Sequence, residues 1–265
     1  MKITNIKKLE PKKLIVFDLD GTLARTKTYM DEEMTELVTQ LLQVKKVAII
    51  GGGKYALFKH QFLQPLKGVK RLMGHLYLFP TTATAFYRYQ SGWKNVYLIE
   101  LTKEERKQIK STFEIVFQEI GYEHPEKVYG KVIEDRGTQV TFSALGQEVV
   151  AVLGKKGVEM KEEWVKHNKP LKMKIARLMQ KYLPNLAVRA AGHTSVDVTK
   201  KGIDKAFGLK QIEKHLKIKI KDMVFIGDGI FPGGNDYAIT TTAVDYIPVK
   251  DPEDTKKIIR HILTQ

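Results

Sequence analysis

The sequence of 265 residues contains no cysteine. This absence excludes disulfide bonds, a thiol nucleophile and a cysteine-based zinc site, and it favours a reducing compartment. No apolar run is long enough to span a membrane, and the basic residues 1–8 are not followed by the apolar core of a signal peptide. From the sequence we therefore expect a soluble protein that is located in the cytoplasm.

Acidic residues are few relative to basic ones. The chain has 30 Asp and Glu against 45 Lys and Arg, which gives a formal net charge of +15. Such a charge is compatible with nucleic acid, with phosphate esters or with a solvated lysine-rich surface. The lysines are spread along the chain without a nucleic-acid-binding motif, so nucleic acid is the less expected partner. The composition, 43% apolar and 28% charged, is that of one large globular domain or two modest ones.

Two acidic residues follow a short apolar run near the amino terminus. Residues 14–17 predict a buried strand, because the run is short and contains two β-branched residues. Asp18, Asp20 and Gly21 come directly after it. Ligands of open α/β sheets bind at the carboxyl ends of the strands, so this pair of carboxylates predicts a functional site. A solvated turn is the alternative, since Asp and Gly are common turn residues.

A glycine run follows the second predicted strand, residues 47–50. Backbone N–H groups of Gly51, Gly52 and Gly53 can approach an anion closely, which predicts phosphate binding at this point. A plain turn remains the alternative for a triple glycine alone.

A third apolar run, residues 223–226, ends in Gly227 and Asp228. Oxygen ligands at the edge of a sheet suit Mg²⁺, which binds one or two protein carboxylates together with substrate phosphate. Asp228 is therefore the best candidate to share a metal ion with Asp18.

Residues 17–23 (Phe-Asp-Leu-Asp-Gly-Thr-Leu) resemble motif I of the haloacid dehalogenase (HAD) superfamily of phosphoryl-transfer enzymes. The resemblance implies that Asp18 attacks phosphorus to form an aspartyl-phosphate and that Asp20 acts as general acid and base. Residues 201–205 (Lys-Gly-Ile-Asp-Lys) match the context of the motif III lysine of the superfamily. By that match, Lys205 neutralises the nucleophile and the phosphate.

The resemblance also implies a Mg²⁺ cofactor. Asp18, Asp228 and the backbone carbonyl of Asp20 would bind the ion, and Asn235 and Asp236 would orient those ligands.

Residues 227–236 and 251–255 are close to the motif IV region and the following helix of eukaryotic-type phosphomannomutases. This similarity is specific for the HAD branch with a large α/β cap, the IIB group. It implies an α/β fold with a Rossmann-like HAD core, whose sheet is mainly parallel, and an inserted α+β cap domain of the C2B type.

The chain itself supports an insertion. Between the two core segments, residues 1–86 and 190–265, alternating strand patterns accompany amphipathic helices at 103–120 and roughly 172–183. A sheet covered by two helices is an α+β unit, which we place at residues 87–189.

The chain departs from the phosphomannomutase pattern at two places. In the glycine loop, Gly53 and Lys54 replace the Ser and Asp of the Gly-Gly-Ser-Asp string, so phosphate would depend on backbone N–H groups and on Lys54. In the cap, Ser143 and Lys155 stand where the mutases have arginines that grip the distal phosphate of the sugar. Losing a bidentate arginine fork weakens phosphate recognition. Two residues that contact sugar hydroxyls in the mutases are retained: Ser195 and Asp197.

A mutase must hold a bisphosphorylated sugar and turn it round, whereas a phosphatase needs only to admit water. Weaker binding of the distal phosphate therefore favours a Mg²⁺-dependent phosphatase that acts on a sugar phosphate or a similar small phosphomonoester. Phosphomannomutase is the alternative, and a non-catalytic nucleic-acid-binding protein is less expected. A homodimer formed through the cap is compatible with the resemblance.

Overall fold

The computed structural model describes residue 2, residues 9–25 and residues 28–264. Residues 1 and 3–8 lie outside the described residues; they make up most of the basic segment 1–8, for which the sequence predicts no signal peptide. The chain divides into two compact units. The first comprises Met1–Leu98 and Asp204–Gln265, and the second comprises Ile99–Ile203.

The first unit is built on a seven-stranded sheet. Its strands are β1 (Leu14–Phe17), β2 (Lys46–Ile50), β3 (Leu76–Phe79), β4 (Ala85–Tyr89), β5 (Trp93–Leu98), β10 (Met223–Gly227) and β11 (Asp245–Pro248). They lie in the order β11-β10-β1-β2-β3-β4-β5. The first five strands in that order are parallel, and β4 and β5 are antiparallel additions at one edge.

Helices cover both faces of this sheet. They are α1 (Glu32–Val44), α2 (Tyr55–Phe58), the one-turn element α3 (Pro80–Ala83), α7 (Lys205–Leu216) and α8 (Pro252–Leu263). A π-helical turn (Lys59–Leu63) and 3₁₀ turns (Lys70–His75, Ile220–Asp222 and Tyr237–Thr241) complete the unit. Successive residues of β1 point to opposite faces, so Ile15 and Phe17 pack in one core while Leu14 and Val16 pack in the other. This burial on both sides explains the uninterrupted apolar runs of the parallel strands.

The register of the parallel strands brings the predicted functional segments to one edge. Phe17 lies opposite Ile226 of β10 and opposite Ile49 of β2. The chain therefore leaves all three strands at the same level, with Asp18 between the segments that begin at Gly51 and Asp228.

The second unit contains a four-stranded antiparallel sheet with helices on one face. Its strands are β6 (Ile133–Asp135), β7 (Val140–Ser143), β8 (Leu186–Ala191) and β9 (Ser195–Lys200), in the order β6-β7-β9-β8. Its helices are α4 (Lys103–Ile120), α5 (Val149–Leu153) and α6 (Lys155–Tyr182). Phe113 of α4, Phe142 of β7 and Ile175 of α6 share one apolar core. On the other face, pairing aligns four polar residues in a row across the sheet: Glu134, Thr141, Asp197 and Arg189.

The predicted fold class is confirmed, but the predicted domain boundaries differ from the division in the structure. The expected cap began at residue 87, in the middle of β4, yet β4 and β5 pair with β3 and extend the core sheet. Residues 190–203 were expected in the core, but β8 and β9 complete the sheet of the second unit. Alternation along a strand reports one exposed face and does not reveal which sheet the strand joins.

Helix α4 has the predicted bounds, whereas the second predicted helix is longer than expected. The pattern indicated residues 172–183, but α6 begins at Lys155 and continues through Pro170. Proline removes one backbone donor and usually ends a helix, which is why the sequence pattern failed there. None of the described helices is both long and apolar enough to cross a membrane.

Candidate active site

A buried lysine joins two acidic residues at the carboxyl edge of the first sheet. Lys205 is the first residue of α7, whose amino end is capped by Asp204 through a 2.8 Å hydrogen bond from the backbone N–H of Phe207. The Nζ of Lys205 lies 2.5 Å from Oδ1 of Asp18 and also donates to Oδ1 of Asp236. All three side chains are nearly inaccessible to solvent, at 3% exposure or less. Buried charges require such pairing, so the three groups act as one electrostatic unit.

Together with the neighbouring Asp228, these side chains comprise three carboxyl groups and one lysine, so negative charge exceeds positive charge. Carboxylate oxygens of Asp18, Asp228 and Asp236 lie within 4.8 Å of one another. Burial raises the pKa of Asp18 well above its usual value, and the neighbouring carboxylates raise it further against the opposing effect of Lys205. Burial and Asp236 likewise raise the pKa of Asp228. Burial lowers the pKa of Lys205, but its two carboxylate partners outweigh that effect and raise it.

The charge imbalance fits a divalent cation. Oδ2 of Asp18 is buried and has no hydrogen-bond partner among the described residues, although a buried carboxylate oxygen normally has one. Carboxylate oxygens are the ligands that Mg²⁺ prefers. Asp18 and Asp228 would therefore hold the ion. Asp236 was expected only to orient these ligands, whereas the structure places it within the cluster and in direct contact with Lys205.

Small residues next to the cluster make room for the carboxylates. Gly21 has a φ of +87°, and a Cβ at this position would lie 2.3 Å from Oδ2 of Asp228. The hydroxyl of Thr22, which is fully buried, accepts a 3.1 Å hydrogen bond from the backbone N–H of Asp228. Asn235 lies against Gly229, where a Cβ would be 2.0 Å from its Oδ1. A side chain at position 21 or 229 would therefore have to displace the carboxylate of Asp228 or the amide of Asn235.

Asp20 is held by a glutamine that the sequence did not single out. Nε2 of Gln61 lies 3.2 Å from Oδ1 of Asp20 and 3.0 Å from the carbonyl oxygen of Thr28. Both partners are acceptors, so the amide orientation of this fully buried side chain is fixed. Gln61 belongs to the π-helical turn Lys59–Leu63, a rare element that often accompanies functional sites. In the sequence, Gln61 carries no distinguishing signal.

The glycine loop, residues 51–53, is held by hydrogen bonds from a strained turn. Thr81, Thr82 and Ala83 of α3 have φ values of +48°, +55° and +63°, in the left-handed region. This conformation costs about 1–2 kcal/mol for each residue other than glycine. The backbone N–H groups of Thr81 and Thr82 donate to the carbonyl oxygens of Gly53 and Gly51, both at 2.9 Å. Backbone strain of this kind is concentrated at functional sites, and here it fixes the loop that was predicted to bind phosphate.

The predicted sugar-binding residues lie in the second unit. Ser195 pairs with Ser143 across the sheet, and Asp197 accepts a 2.8 Å hydrogen bond from the hydroxyl of Thr141. Ser143 is fully buried and donates to the carbonyl oxygen of Gly146 at 3.0 Å. Residues 143 and 195 therefore form part of the polar face of this sheet.

Neither of the two positions that matched a phosphate-binding arginine carries a guanidinium group. Ser143 is engaged inside the unit, and the side chain of Lys155 is 88% exposed, 3.9 Å from Glu159. The nearby Arg136 donates to Glu134 at 2.8 Å and to Gln147 at 3.1 Å.

Comparison with known proteins gives consistent sequence matches. A family model described as eukaryotic phosphomannomutase matches residues 34–265. Phosphomannomutase from Encephalitozoon cuniculi is 26% identical over 256 residues, which cover 96% of this chain and 94% of that protein. Phosphomannomutase from Schizosaccharomyces pombe is 28% identical over 233 residues, which cover 86% of this chain and 85% of that protein.

Solved structures with the same fold are HAD-type hydrolases. An N-terminally truncated IMP-nucleotidase of Plasmodium falciparum superimposes with a TM-score of 0.71 at 18% identity, covering 97% of this chain and 72% of that chain. A haloacid dehalogenase-like hydrolase from Bacteroides thetaiotaomicron superimposes with a TM-score of 0.59 at 16% identity, covering 95% of this chain and 99% of that chain. At these identities the likeness concerns the fold alone.

Proposed function

Because the chain belongs to the eukaryotic phosphomannomutase family of the HAD superfamily, we propose that it interconverts mannose 6-phosphate and mannose 1-phosphate with Mg²⁺ as cofactor. The observation that supports this proposal best is the buried contact of Lys205 with Asp18 and Asp236, next to Asp228. A binding protein has no need to bring a nucleophile, a lysine and two further carboxylates together at one edge of a sheet.

In the proposed reaction, a carboxylate oxygen of Asp18 attacks one phosphorus atom of a hexose 1,6-bisphosphate. The bond between phosphorus and the sugar oxygen breaks, and Asp20 donates a proton to that oxygen, so that a hexose monophosphate with a free hydroxyl leaves and Asp18 carries the phosphoryl group. In the second half of the reaction, Asp20 removes a proton from the free hydroxyl of a hexose monophosphate that is bound in the opposite orientation. That hydroxyl attacks the phosphoryl group, which forms the bisphosphate again and releases Asp18.

The remaining residues of the site support these two steps. Lys205 places a positive charge beside the attacking oxygen of Asp18, which opposes the repulsion between a carboxylate and a phosphate. When bound by Asp18 and Asp228, Mg²⁺ supplies further charge neutralisation. Gln61 keeps the carboxyl group of Asp20 in one orientation through its bond to Oδ1.

A phosphatase is the second candidate, and the residues at positions 143 and 155 favour it. A mutase must grip the second phosphate of a bisphosphorylated sugar, and a bidentate arginine suits this task better than the buried Ser143 or the exposed Lys155. In a phosphatase, Asp20 would activate water to hydrolyse the phosphorylated Asp18, and no distal grip would be required. The substrate would again be a sugar phosphate or a similar small phosphomonoester.

Phosphorus NMR distinguishes the two candidates. The purified protein is incubated with Mg²⁺ and mannose 1-phosphate, with and without a catalytic amount of a hexose 1,6-bisphosphate, and Asp18→Asn serves as the inactive control. Conversion to mannose 6-phosphate that requires the bisphosphate is the result expected of a mutase. Release of inorganic phosphate alone would identify a phosphatase, and neither product from any hexose phosphate would reject both assignments.

A further inference from the structure

A cavity of about 530 Å³ opens in the first unit, lined by residues with no role in the chemistry proposed above. Its volume is within the range of small-molecule sites, roughly 300–1,000 Å³. The buried side chains of Leu66 and Met73 belong to its apolar lining, and Tyr89 and Trp93 form an aromatic wall. The two rings meet edge to face, with their centroids 5.7 Å apart. The cavity therefore offers flat apolar surfaces of the kind against which planar groups stack.

Three lysines, Lys59, Lys67 and Lys70, also line the cavity, and none of the described residues that line it is acidic. All three side chains are exposed, and within the described chain none of them pairs with a carboxylate. The positive charge around the cavity is therefore not neutralised by the described part of the protein.

The sequence around the cavity reinforces this charge. Residues 37–99 contain no Asp or Glu, although the chain has 30 acidic residues, and they contain nine Lys and Arg. A field of one sign over an apolar site concentrates ligands of the opposite sign. The ligand that suits both features combines a planar apolar body with several negative charges.

We propose that this cavity binds a nucleoside phosphate, with the base against Tyr89 and Trp93 and the phosphates beside Lys67 and Lys70. Base stacking on aromatic rings and charge-assisted contacts to phosphate are the two interactions that the lining provides. A sugar phosphate alone would leave the aromatic wall uncovered. The proposal is independent of the reaction assigned to Asp18, because neither Asp18 nor its partners line the cavity.

Trp93 provides the test. The chain has two tryptophans, so Trp164→Phe leaves Trp93 as the single fluorescent reporter, inside the proposed site. This protein is titrated with ADP, with adenosine and with pyrophosphate. We expect saturable quenching by ADP, and an affinity for ADP at least about tenfold higher than for either fragment, since each fragment uses only half of the lining.

Charge reversal then locates the phosphates. Lys67→Glu/Lys70→Glu in the same background is expected to weaken ADP binding by at least about tenfold, because it replaces two positive charges beside the phosphates with negative ones. The matched control is Lys107→Glu/Lys174→Glu, which changes the net charge equally at two exposed positions of the second unit. This control is expected to bind ADP as the parent does.

Five results would overturn the proposal. The first four are the absence of saturable quenching, equal affinities for ADP and pyrophosphate, equal weakening by the control pair, and displacement of ADP by excess mannose 6-phosphate, which would place ADP at the catalytic edge. Binding of a single-stranded oligonucleotide at far lower concentration than ADP would also overturn it, by assigning the surface to nucleic acid.

Discussion

Lys205 of the first unit and Lys172 of the second unit are both buried, but their surroundings differ in kind. Lys205 bonds to two carboxylates, Asp18 and Asp236, which raise its pKa despite burial. Nζ of Lys172 donates to the carbonyl oxygen of Gly192 at 2.6 Å, and burial lowers its pKa. The first lysine balances the charge of a site, whereas the second is a polar group that is accommodated within a packed domain.

The same contrast extends to the other functional residues. At the catalytic edge, several contacts hold each side chain in position. Asp228, for example, donates its backbone N–H to the hydroxyl of Thr22, and its carboxylate lies close to Gly21. On the polar face of the second unit, Ser143 is satisfied internally and Lys155 is exposed. The residues assigned to the chemistry are thus held by several contacts at once, whereas positions 143 and 155 lack the arginines of the mutase pattern.

Removal of Lys205 is expected to have the largest effect. Lys205→Met leaves Asp18 and Asp236 buried without a counter-charge, so we expect a loss of about 3–5 kcal/mol in the free energy of unfolding, measured with urea in the absence of Mg²⁺. Activity should also be lost. Adding Asp236→Asn removes one unpaired charge and should restore part of the stability. A single variant as stable as the parent would contradict the pairing.

Substitution of Gly21 separates backbone strain from collision with Asp228. Gly21→Ala places a Cβ against the carboxylate, and displacement of a catalytic group by about 1 Å reduces activity about 100-fold. Gly121→Ala is the matched control, because Gly121 also has a positive φ, +62°, but open space around it. We expect the control to lose about 1 kcal/mol of stability and to keep its turnover rate. Equal turnover in the two variants would show that Gly21 does not position Asp228.

Two buried glutamines, one in each unit, test the role of Gln61. Gln61 donates to Asp20, whereas Gln139 donates to the hydroxyl of Thr141 at 2.7 Å. Replacement by Leu should cost about 1 kcal/mol of stability at position 139, which loses one hydrogen bond, and about 2 kcal/mol at position 61, which loses two. Only Gln61→Leu is expected to lower kcat, by about tenfold at unchanged KM, because it frees the rotation of the general acid. If both variants lower kcat equally, Gln61 has no specific role.

The smallest expected effect concerns Lys172. Its pKa is lower in the folded than in the unfolded chain, where lysine has a pKa of about 10.4. The unfolded chain therefore binds more protons between these two values, and the stability of the parent rises with pH in that range. Lys172→Met removes this dependence, so the stability of the parent relative to the variant should increase from neutral pH towards pH of about 10. Urea unfolding at several pH values measures the difference, and a decrease would contradict the assignment.

Local patterns sufficed to predict much of the fold. The strands that precede Asp18, Gly51 and Asp228 were recognisable because buried parallel strands form short apolar runs. Helix α4 was predicted from its apolar spacing, and it ends at Gly121, which adopts the left-handed C-cap conformation.

The features that the sequence did not predict depend on distant contacts. Gln61 acquires its role only when the chain returns it to Asp20, which precedes it by 41 residues. The left-handed turn at Thr81 and Thr82 contradicts local preference and is maintained by hydrogen bonds to the glycine loop. The placement of β4 and β5 in the core sheet is likewise a matter of strand pairing and not of composition.

The central claim, that Asp18 is the residue that receives the phosphoryl group, can be tested directly by peptide mass spectrometry. The protein is incubated with Mg²⁺ and a hexose 1,6-bisphosphate, quenched in acid and digested, with Asp18→Asn treated in parallel. The account predicts a phosphoryl group on the peptide that contains Asp18 and its absence from Asp18→Asn. Turnover without a phosphorylated enzyme, or a phosphoryl group on any other residue, would contradict it.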